Sequence, residues 1–345
     1  MKRKISVILV AIWLMLFVAA CGVTSATQAV EGDFAVHFID VGQADATLVI
    51  CEGKTMLIDG GNRDDSQLIY TYLKNEGVTH LDYVVATHAH EDHVGGLPGA
   101  LNYATVGTAL CSVEKHDSGV FETFVNQLAK QGKEITVPRV GDEFELGSAR
   151  VQVVGPVNRS NDPNNMSIVL RIAYGETSFF FTGDAERDEE QDILDAGYEL
   201  ESTVLKVGHH GSENSTTYPF LREIMPDYAV ISVGEGNSYG HPTEEALSRL
   251  RDAGVTILRT DENGTIICTS DGETVSFITQ RGTTEGNQPQ ADIGMEYVLN
   301  TGTNKFHNPD CNSVNSIKPQ NLGHFSGPRG QLLAQGYAPC GNCKP

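Results

Sequence analysis

Basic residues are scarce in this chain. Its 24 lysines and arginines face 45 aspartates and glutamates, leaving a formal net charge of −21 over 345 residues. That balance argues against a broad basic surface of the kind that neutralises a nucleic-acid backbone, although a bound metal can neutralise phosphate locally. The acidic excess belongs to the body of the chain. From Ile293 onward, Lys305, Lys318, Arg329 and Lys344 outnumber Glu296 and Asp310. Beyond the first twenty-odd residues there is also no apolar run long enough to span a bilayer. Internal repeats are missing, and a 40% hydrophobic, 20% charged mixture excludes a disordered chain. Histidine is limited to 11 residues and cysteine to 7, so the places where they concentrate carry information.

The first residues, "MKRKISVILVAIWLMLFVAACG", join a basic start (Lys2, Arg3, Lys4) to an apolar run that closes in small residues and Cys21. This is the pattern of a secretory leader rather than a membrane span. Its end, "VAAC", resembles the lipobox of bacterial lipoproteins. The resemblance implies lipidation at Cys21 and a chain held at the extracellular face of the cytoplasmic membrane by a lipid anchor alone. Residues 22–32 read as a polar tether.

From residue 33 the sequence is dense in strands. "FAVHFIDV", "DATLVIC" and "KTMLIDGG" are short β-rich runs broken by Gly and Asp, an antiparallel meander signal. Further strands read at "LDYVVATH", "ARVQVVGP", "SIVLRIAYG", "TSFFFTGD", "STVLKVGHH", "YAVISVG" and "VTILRT". Helical spacing marks "DDSQLIYTYLKNEG", "VFETFVNQLAKQG", "AERDEEQDILDAG" and "TEEALSRLRDAG", each stopped by a glycine. Strands with interspersed helices predict an α/β or α+β body of two packed sheets covered by helices, over residues 33–281. Cys51, Cys111 and Cys268 fall in its apolar runs and read as small buried hydrophobes. Residues 282–292 are polar and aperiodic, a linker, and 293–345 form a segment too small for a robust core without a staple.

Three of the histidines and two acids stand together in "HAHEDH", directly after an apolar strand. Strand alternation puts His88 and His90 on one side, and a turn into the next helix brings Asp92 and His93 round to face them. Imidazole and carboxylate together suit Zn, Mn or Fe. The glycines of "VGGL" permit close packing around such a turn.

This stretch resembles the metallo-β-lactamase superfamily, whose hallmark is H-x-H-x-D-H at a strand end. In order, "HFIDVGQADATLV", "LIDGG", "THAHEDHVGGL", "FFFTGDA", "LKVGHHGSENST", "AVISVGEGNSYGHPTEEAL" and "RTDENGTI" resemble the corresponding domain of ComEC-type competence proteins, over roughly Phe34 to Gln280. The multi-span channel usual in that family has no counterpart in this sequence. The resemblance implies a four-layer αββα sandwich and two divalent metal ions. His88 and His90 match ligands of one metal and Asp92 and His93 those of the other, with Asp184 bridging. His209 matches the final histidine motif, with His210 as the fallback, and Asp59 matches the acid that braces the site. Many superfamily members supply another histidine between the cluster and Asp184. Here that gap holds "NDPNNMSIVL", with Asn165 as a weak oxygen ligand or a contact to metal-bound water, which tilts the expected metal from Zn toward Mn.

Two such ions suit phosphodiester hydrolysis, with Asp92 at the reacting centre and His210 or His241 as the general acid. Ser212 and Ser215 are expected to donate hydrogen bonds to phosphate. In the tail, His307, Cys311, Cys340 and Cys343 give H-x₃-C with C-x₂-C, a plausible structural zinc site. A disulfide with one unpaired cysteine is the alternative. The tail resembles the metal-binding domain of Ada DNA-repair proteins, with "FSGPRGQLLAQGY" expected as a helix between the ligand pairs. Because His307 stands at that family's methyl-accepting cysteine, only metal and DNA binding are expected of it. The leading expectation is an exported, membrane-tethered dinuclear phosphodiesterase or nuclease with DNA as substrate. The alternatives are a hydrolase of a small ester, lactone or β-lactam and a non-catalytic DNA-binding lipoprotein. No feature of the sequence fixes an oligomeric state.

Overall fold

The computed structural model describes residues 33–281 and, in the tail, 295–340 apart from 308, 310, 328–331, 333 and 334. The leader, Cys21, the tether, the linker and Cys343 lie outside the described residues. Fifteen strands build the body: β1 Phe34–Phe38, β2 Thr47–Cys51, β3 Lys54–Ile58, β4 His80–Ala86, β5 Thr105–Cys111, β6 Ile135–Thr136, β7 Glu143–Leu146, β8 Ala149–Gly155, β9 Val169–Tyr174, β10 Thr177–Phe181, β11 Val204–Lys206, β12 Tyr228–Ile231, β13 Thr256–Arg259, β14 Ile266–Ser270 and β15 Val275–Thr279. One sheet has the order β15-β14-β1-β2-β3-β4-β5-β6 and the other β13-β12-β11-β10-β9-β8-β7. The expected meander β1-β2-β3 is antiparallel, its second turn made by Glu52 and Gly53, both at positive φ, the geometry a two-residue hairpin prefers.

Alternation along the strands assigns side chains to layers. Leu57 and Val84 face the helices at Ser66–Asn75, Leu97–Tyr103 and Gly119–Lys130, packing on Ile69, Leu97 and Phe124. Their neighbours Met56, Ile58 and Val85 point the other way, into the space between the sheets, against Val153, Phe179 and Phe181. Phe180 turns outward again to the helices at Arg187–Ala196, Tyr218–Ile224 and Glu244–Asp252, among Ile193, Phe220 and Leu250. Three apolar interfaces between four layers make the αββα sandwich, and burial of these large side chains contributes about 1.5–3 kcal/mol each. Cys51, Cys111 and Cys268 are buried free thiols, as expected.

Two features depart from expectation. The hairpin β14–β15, of which the sequence reading marked only the apolar run around Cys268, returns to the first sheet, where β14 pairs with β1. In the tail, Phe325–Gly327 of the expected helix belong to a strand, Leu322–Gly327, which pairs with Met295–Asn300. Gly323 and Gly327 within it disfavour a helix. That strand belongs to a four-stranded sheet with Lys305–His307 and Ala338–Pro339, over a small core of Tyr297, Leu299, Phe306 and Leu332. Among the described residues no helix is long and apolar enough to cross a membrane.

Candidate metal centre

Strands β3 and β4 run parallel in one sheet, and β10, β11 and β12 run parallel in the other. Their carboxyl ends deliver Asp59, the His88–His93 turn, Asp184, His209 with His210, and Ser232 to one rim, the place where open α/β sheets bind ligands. The turns are tight. A Cβ on Gly96 would stand 1.8 Å from the Gly60 carbonyl oxygen, so the "LIDGG" and "HVGGL" loops touch through backbone. Asp59, His209 and His210 hold φ of 58°, 47° and 52°, a left-handed conformation that costs a non-glycine residue free energy. Strain of this kind, at three adjoining polar residues, marks a site whose geometry the surrounding fold imposes.

Asp184 is the hub. Its Oδ2 lies 3.9 Å from His88 Nε2, 3.3 Å from His93 Nε2, 3.7 Å from His209 Nε2 and 3.8 Å from His210 Nε2. On the outer side, His88 Nε2 is 2.9 Å from His90 Nδ1. On the deeper side, Asp92 Oδ2 is 3.3 Å from His210 Nε2 and 3.9 Å from His93 Nε2. Donors sharing one ion at about 2.1 Å stand about 3.4 Å apart in a tetrahedron, so these separations suit cation binding. Four buried atoms, Asp45 Oδ1, His93 Nε2, Asp184 Oδ1 and His210 Nε2, have no hydrogen-bond partner. Stranded buried polar atoms are costly, and four that converge fit a cation.

Each ring is oriented from behind. Asp59, fully buried, accepts from Thr87 N–H (2.8 Å), the Thr87 hydroxyl (2.7 Å) and His93 Nδ1–H (2.8 Å). His210 Nδ1–H donates to the Ser232 carbonyl at 2.9 Å, and His209 Nδ1 is 3.0 Å from Glu186 Oε1. Burial disfavours charge on His93 and His210, but the acids around them, Asp184 foremost, outweigh it and raise both above the ordinary histidine value. Burial, followed by the neighbouring His93, drives His88 well below that value. Asp92 and Asp184 are held low despite burial, because His93 stands against both. The centre thus answers its own negative charge with protons, which a divalent cation would replace.

The expected residues sort into two groups. His88, His90, Asp92, His93, Asp184, His209 and His210 come together, with Asp59 behind His93. Of the two adjacent histidines, His210 takes the buried place in the deeper cluster, while His209 is 24% exposed at the cleft wall. His209 keeps the place beside Asp184 expected of a ligand, and His210, expected as the fallback ligand or as the acid, joins the deeper cluster. Asn165 also departs from expectation: its Oδ1 accepts the Glu186 N–H at 3.0 Å, and Asn164 lines the cleft in its place. In the 3₁₀ turn Asn164–Met166 the two side chains cannot point the same way. Ser167 fills the space behind His88, its Oγ 3.4 Å from Nδ1 and accepting Asp184 N–H at 3.0 Å. The serines assigned to phosphate are structural. Ser215 Oγ donates to the Ala185 carbonyl at 2.7 Å, and Ser212 Oγ accepts Asn214 N–H at 3.2 Å, both in the interior.

His241 does stand at the cleft, a space of about 360 Å³ that Gln43, Glu91 and Tyr239 also line. Burial first, then His209 and His210, lower it to about 4, so it stands in the cleft as a neutral ring rather than as the expected proton donor. Sequence reading missed Asp45 and its buried partner Lys206, 2.8 Å apart. The available signal was a lone lysine inside the apolar run "VLKVG", since a buried ammonium requires a counter-charge.

The sequence profile of the metallo-beta-lactamase superfamily matches residues 39–235. Among curated relatives, ComE operon protein 3 of Bacillus subtilis is 30% identical over 257 residues, covering 68% of this chain and 33% of the relative. Competence protein ComA of Neisseria gonorrhoeae is 33% identical over 239 residues, covering 68% and 32%. Recombination protein 2 of Haemophilus influenzae is 29% identical over 222 residues, covering 62% and 26%. The chain therefore spans about a third or less of the length of these relatives. Among solved structures, the metallo-beta-lactamase fold protein YhfI from Bacillus subtilis overlaps with a TM-score of 0.41 at 15% identity, over 62% of this chain and 92% of that one. With the profile match running through the strand ends that carry these histidines and acids, the chain belongs to the metallo-β-lactamase superfamily of metal-dependent hydrolases.

Proposed function

We propose that the chain is a dinuclear metal-dependent phosphodiesterase acting on nucleic acid, with extracellular DNA as its substrate. The observation that carries this reading is Asp184 with four imidazoles on one carboxylate oxygen, divided into an outer and a deeper group. His88, His90 and His209 would hold one cation, Asp92, His93 and His210 the other, and Asp184 both. Two divalent ions held by these residues would supply a water activated at neutral pH and positive charge against a phosphodiester in displacement. Asp59, Ser232 and Glu186 keep the imidazoles turned toward the centre. Neutral His241 offers its unpartnered Nδ1 as a hydrogen-bond acceptor beside the reacting group.

Two further features support nucleic acid. The names of two relatives speak of competence and recombination. At the mouth of the cleft Tyr239, 72% exposed, lies nearly flat on His241 (centroids 5.9 Å apart, planes at 28°), a surface on which a base can stack. An acidic body repels a polyanion, so substrate binding as well as cleavage should require the cations. The test uses the full mature chain, stripped of metal and given Mn²⁺, Zn²⁺ or Mg²⁺ with single- and double-stranded DNA, beside an Asp92→Ala/His93→Ala control. Metal-dependent cleavage absent from the control is expected. DNA left intact under every metal would overturn the reading and turn attention to small esters and β-lactams.

The leader and Cys21 would tether this activity outside the cytoplasmic membrane. In the tail, His307, Cys311 and Cys340 are buried with their ligand atoms within 4.8 Å of one another, and both ring nitrogens of His307 lack a partner. Three buried ligand-type side chains gathered in one cluster support zinc as the staple of this segment.

A further inference from the structure

Lys206 is the only lysine buried among the described residues, and it sits on the rim side of β11. Its Nζ contacts Asp45 Oδ2 at 2.8 Å and the Val207 carbonyl at 3.0 Å. Asp45 comes from the loop between β1 and β2, in the other sheet, so the pair joins the two halves of the sandwich immediately behind the centre. A pair serving only as an internal tie would be expected to satisfy both carboxylate oxygens. Asp45 Oδ1 is instead left without a hydrogen-bond partner, 3.8 Å from His210 Nδ1. Asp45 also shares one compact cluster with His93, Asp184 and His210, each of which turns an unpartnered atom into the same space.

Resting on the metal-centre reading above, we infer that Asp45 supplies a further oxygen donor to the deeper cation, and that Lys206 both aims this carboxylate and cancels its charge. The deeper group then offers carboxylates from Asp45, Asp92 and Asp184 beside the imidazoles of His93 and His210. Such an oxygen-rich set of five donors suits Mn²⁺, which takes more ligands and harder ones, better than Zn²⁺, which is content with four. Because Lys206 neutralises Asp45, the extra donor adds no net negative charge to a centre that already carries two ionised acids. The pair is therefore a device that determines which ion the site selects.

The test reads metal binding rather than turnover. The full chain, freed of metal, is dialysed against Mn²⁺ or Zn²⁺ and the bound ions are counted by mass spectrometry, with Mn²⁺ electron paramagnetic resonance as a second readout. The main variant is Asp45→Asn/Lys206→Met, which removes both charges together and leaves neither buried alone. Its Mn²⁺ affinity should fall about 10- to 100-fold while Zn²⁺ affinity changes less than about threefold, with the metal-free melting curve preserved. If the double variant does not fold, Asp45→Asn alone is read the same way. A folded variant that keeps the wild-type preference between the two ions would overturn the inference, as would a wild-type chain that binds neither. DNA cleavage is scored separately: a shifted metal preference in a chain that cuts no DNA would refute the nuclease and leave this inference standing.

Discussion

Replacing Asp59 by Asn isolates one interaction of the centre. Asn is among the residues that best tolerate a left-handed backbone, so the φ of 58° is carried over with little change. Nor does the volume change. What changes is the hydrogen-bond inventory. The carboxylate accepts three donors at 2.7–2.8 Å: Thr87 N–H, the Thr87 hydroxyl and His93 Nδ1–H. An amide offers one oxygen. If that oxygen stays on Thr87 N–H, the amide NH₂ faces His93 Nδ1, which must then give up its proton and leave a neutral ring with its hydrogen on Nε2, the atom turned toward Asp184. If the amide flips, its NH₂ meets Thr87 N–H, a donor that cannot reverse. The first arrangement takes the Asp59 acceptor away from the Thr87 hydroxyl and the second sets donor against donor, a loss of about 1–3 kcal/mol in either case. The same loss of the His93 orienter should weaken metal binding about 10- to 100-fold, or about 1.4–2.8 kcal/mol. Equilibrium dialysis measures the affinity, and ¹⁵N NMR of the histidine rings identifies which nitrogen of His93 carries the proton. Metal affinity within about threefold of wild type, with the Nδ1–H signal retained, would refute the reasoning.

Three other outcomes follow from particular contacts. His210→Gln should lose bound metal far more readily than His209→Gln, because His210 is buried in the deeper cluster and His209 stands at the cleft wall; metal counting after dialysis decides it. Gly96→Ala should destabilise the fold by about 1–3 kcal/mol or prevent folding, since its Cβ would fall 1.8 Å from the Gly60 carbonyl oxygen, a contact of backbone that no rotamer relieves; thermal denaturation measures it. Burial raises Glu189 from 4.5 to about 8, so the folded state keeps a proton that the unfolded chain has already released. Wild-type stability should therefore fall by up to about 1.4 kcal/mol per pH unit between those values, and Glu189→Gln, which can still accept Val157 N–H, should flatten the slope; melts from pH 5 to pH 8 compare the two.

Much of the body was legible because its information is local. Unbroken apolar runs in "TSFFFTGD" and "KTMLIDGG" mark strands buried on both faces without knowledge of the partner strand, and glycine stops bound the helices. The hairpin β14–β15 was harder. Val275, Phe277 and Thr279 are only half-buried at the sheet edge, so the burial signal is weak there, and only pairing with β14 makes the segment a strand. The same division holds in the centre. Asp59, the His88–His93 turn and Asp184 sit where a strand ends, and a strand end is visible in one sequence.

The choice between His209 and His210 was not legible, and the reason is geometric. Periodicity predicts which face a side chain takes only while the backbone follows a regular repeat. Both residues leave the regular repeat for the left-handed region, at φ 47° and 52°. What holds them there is distant in sequence. Arg249, buried on the helix Glu244–Asp252, donates to the Ser215 carbonyl at 2.7 Å and the Thr216 carbonyl at 2.8 Å, and Glu190 accepts the Thr217 N–H at 2.9 Å. The loop "HHGSENST" is thus clamped from two helices, and that clamp determines that His210 points inward and His209 toward the cleft. Asp45 shows the same limit from the other side, since its role depends on a lysine 161 residues away. Chemistry carried by one turn is written in the turn, whereas chemistry shared between two sheets is written only in their packing.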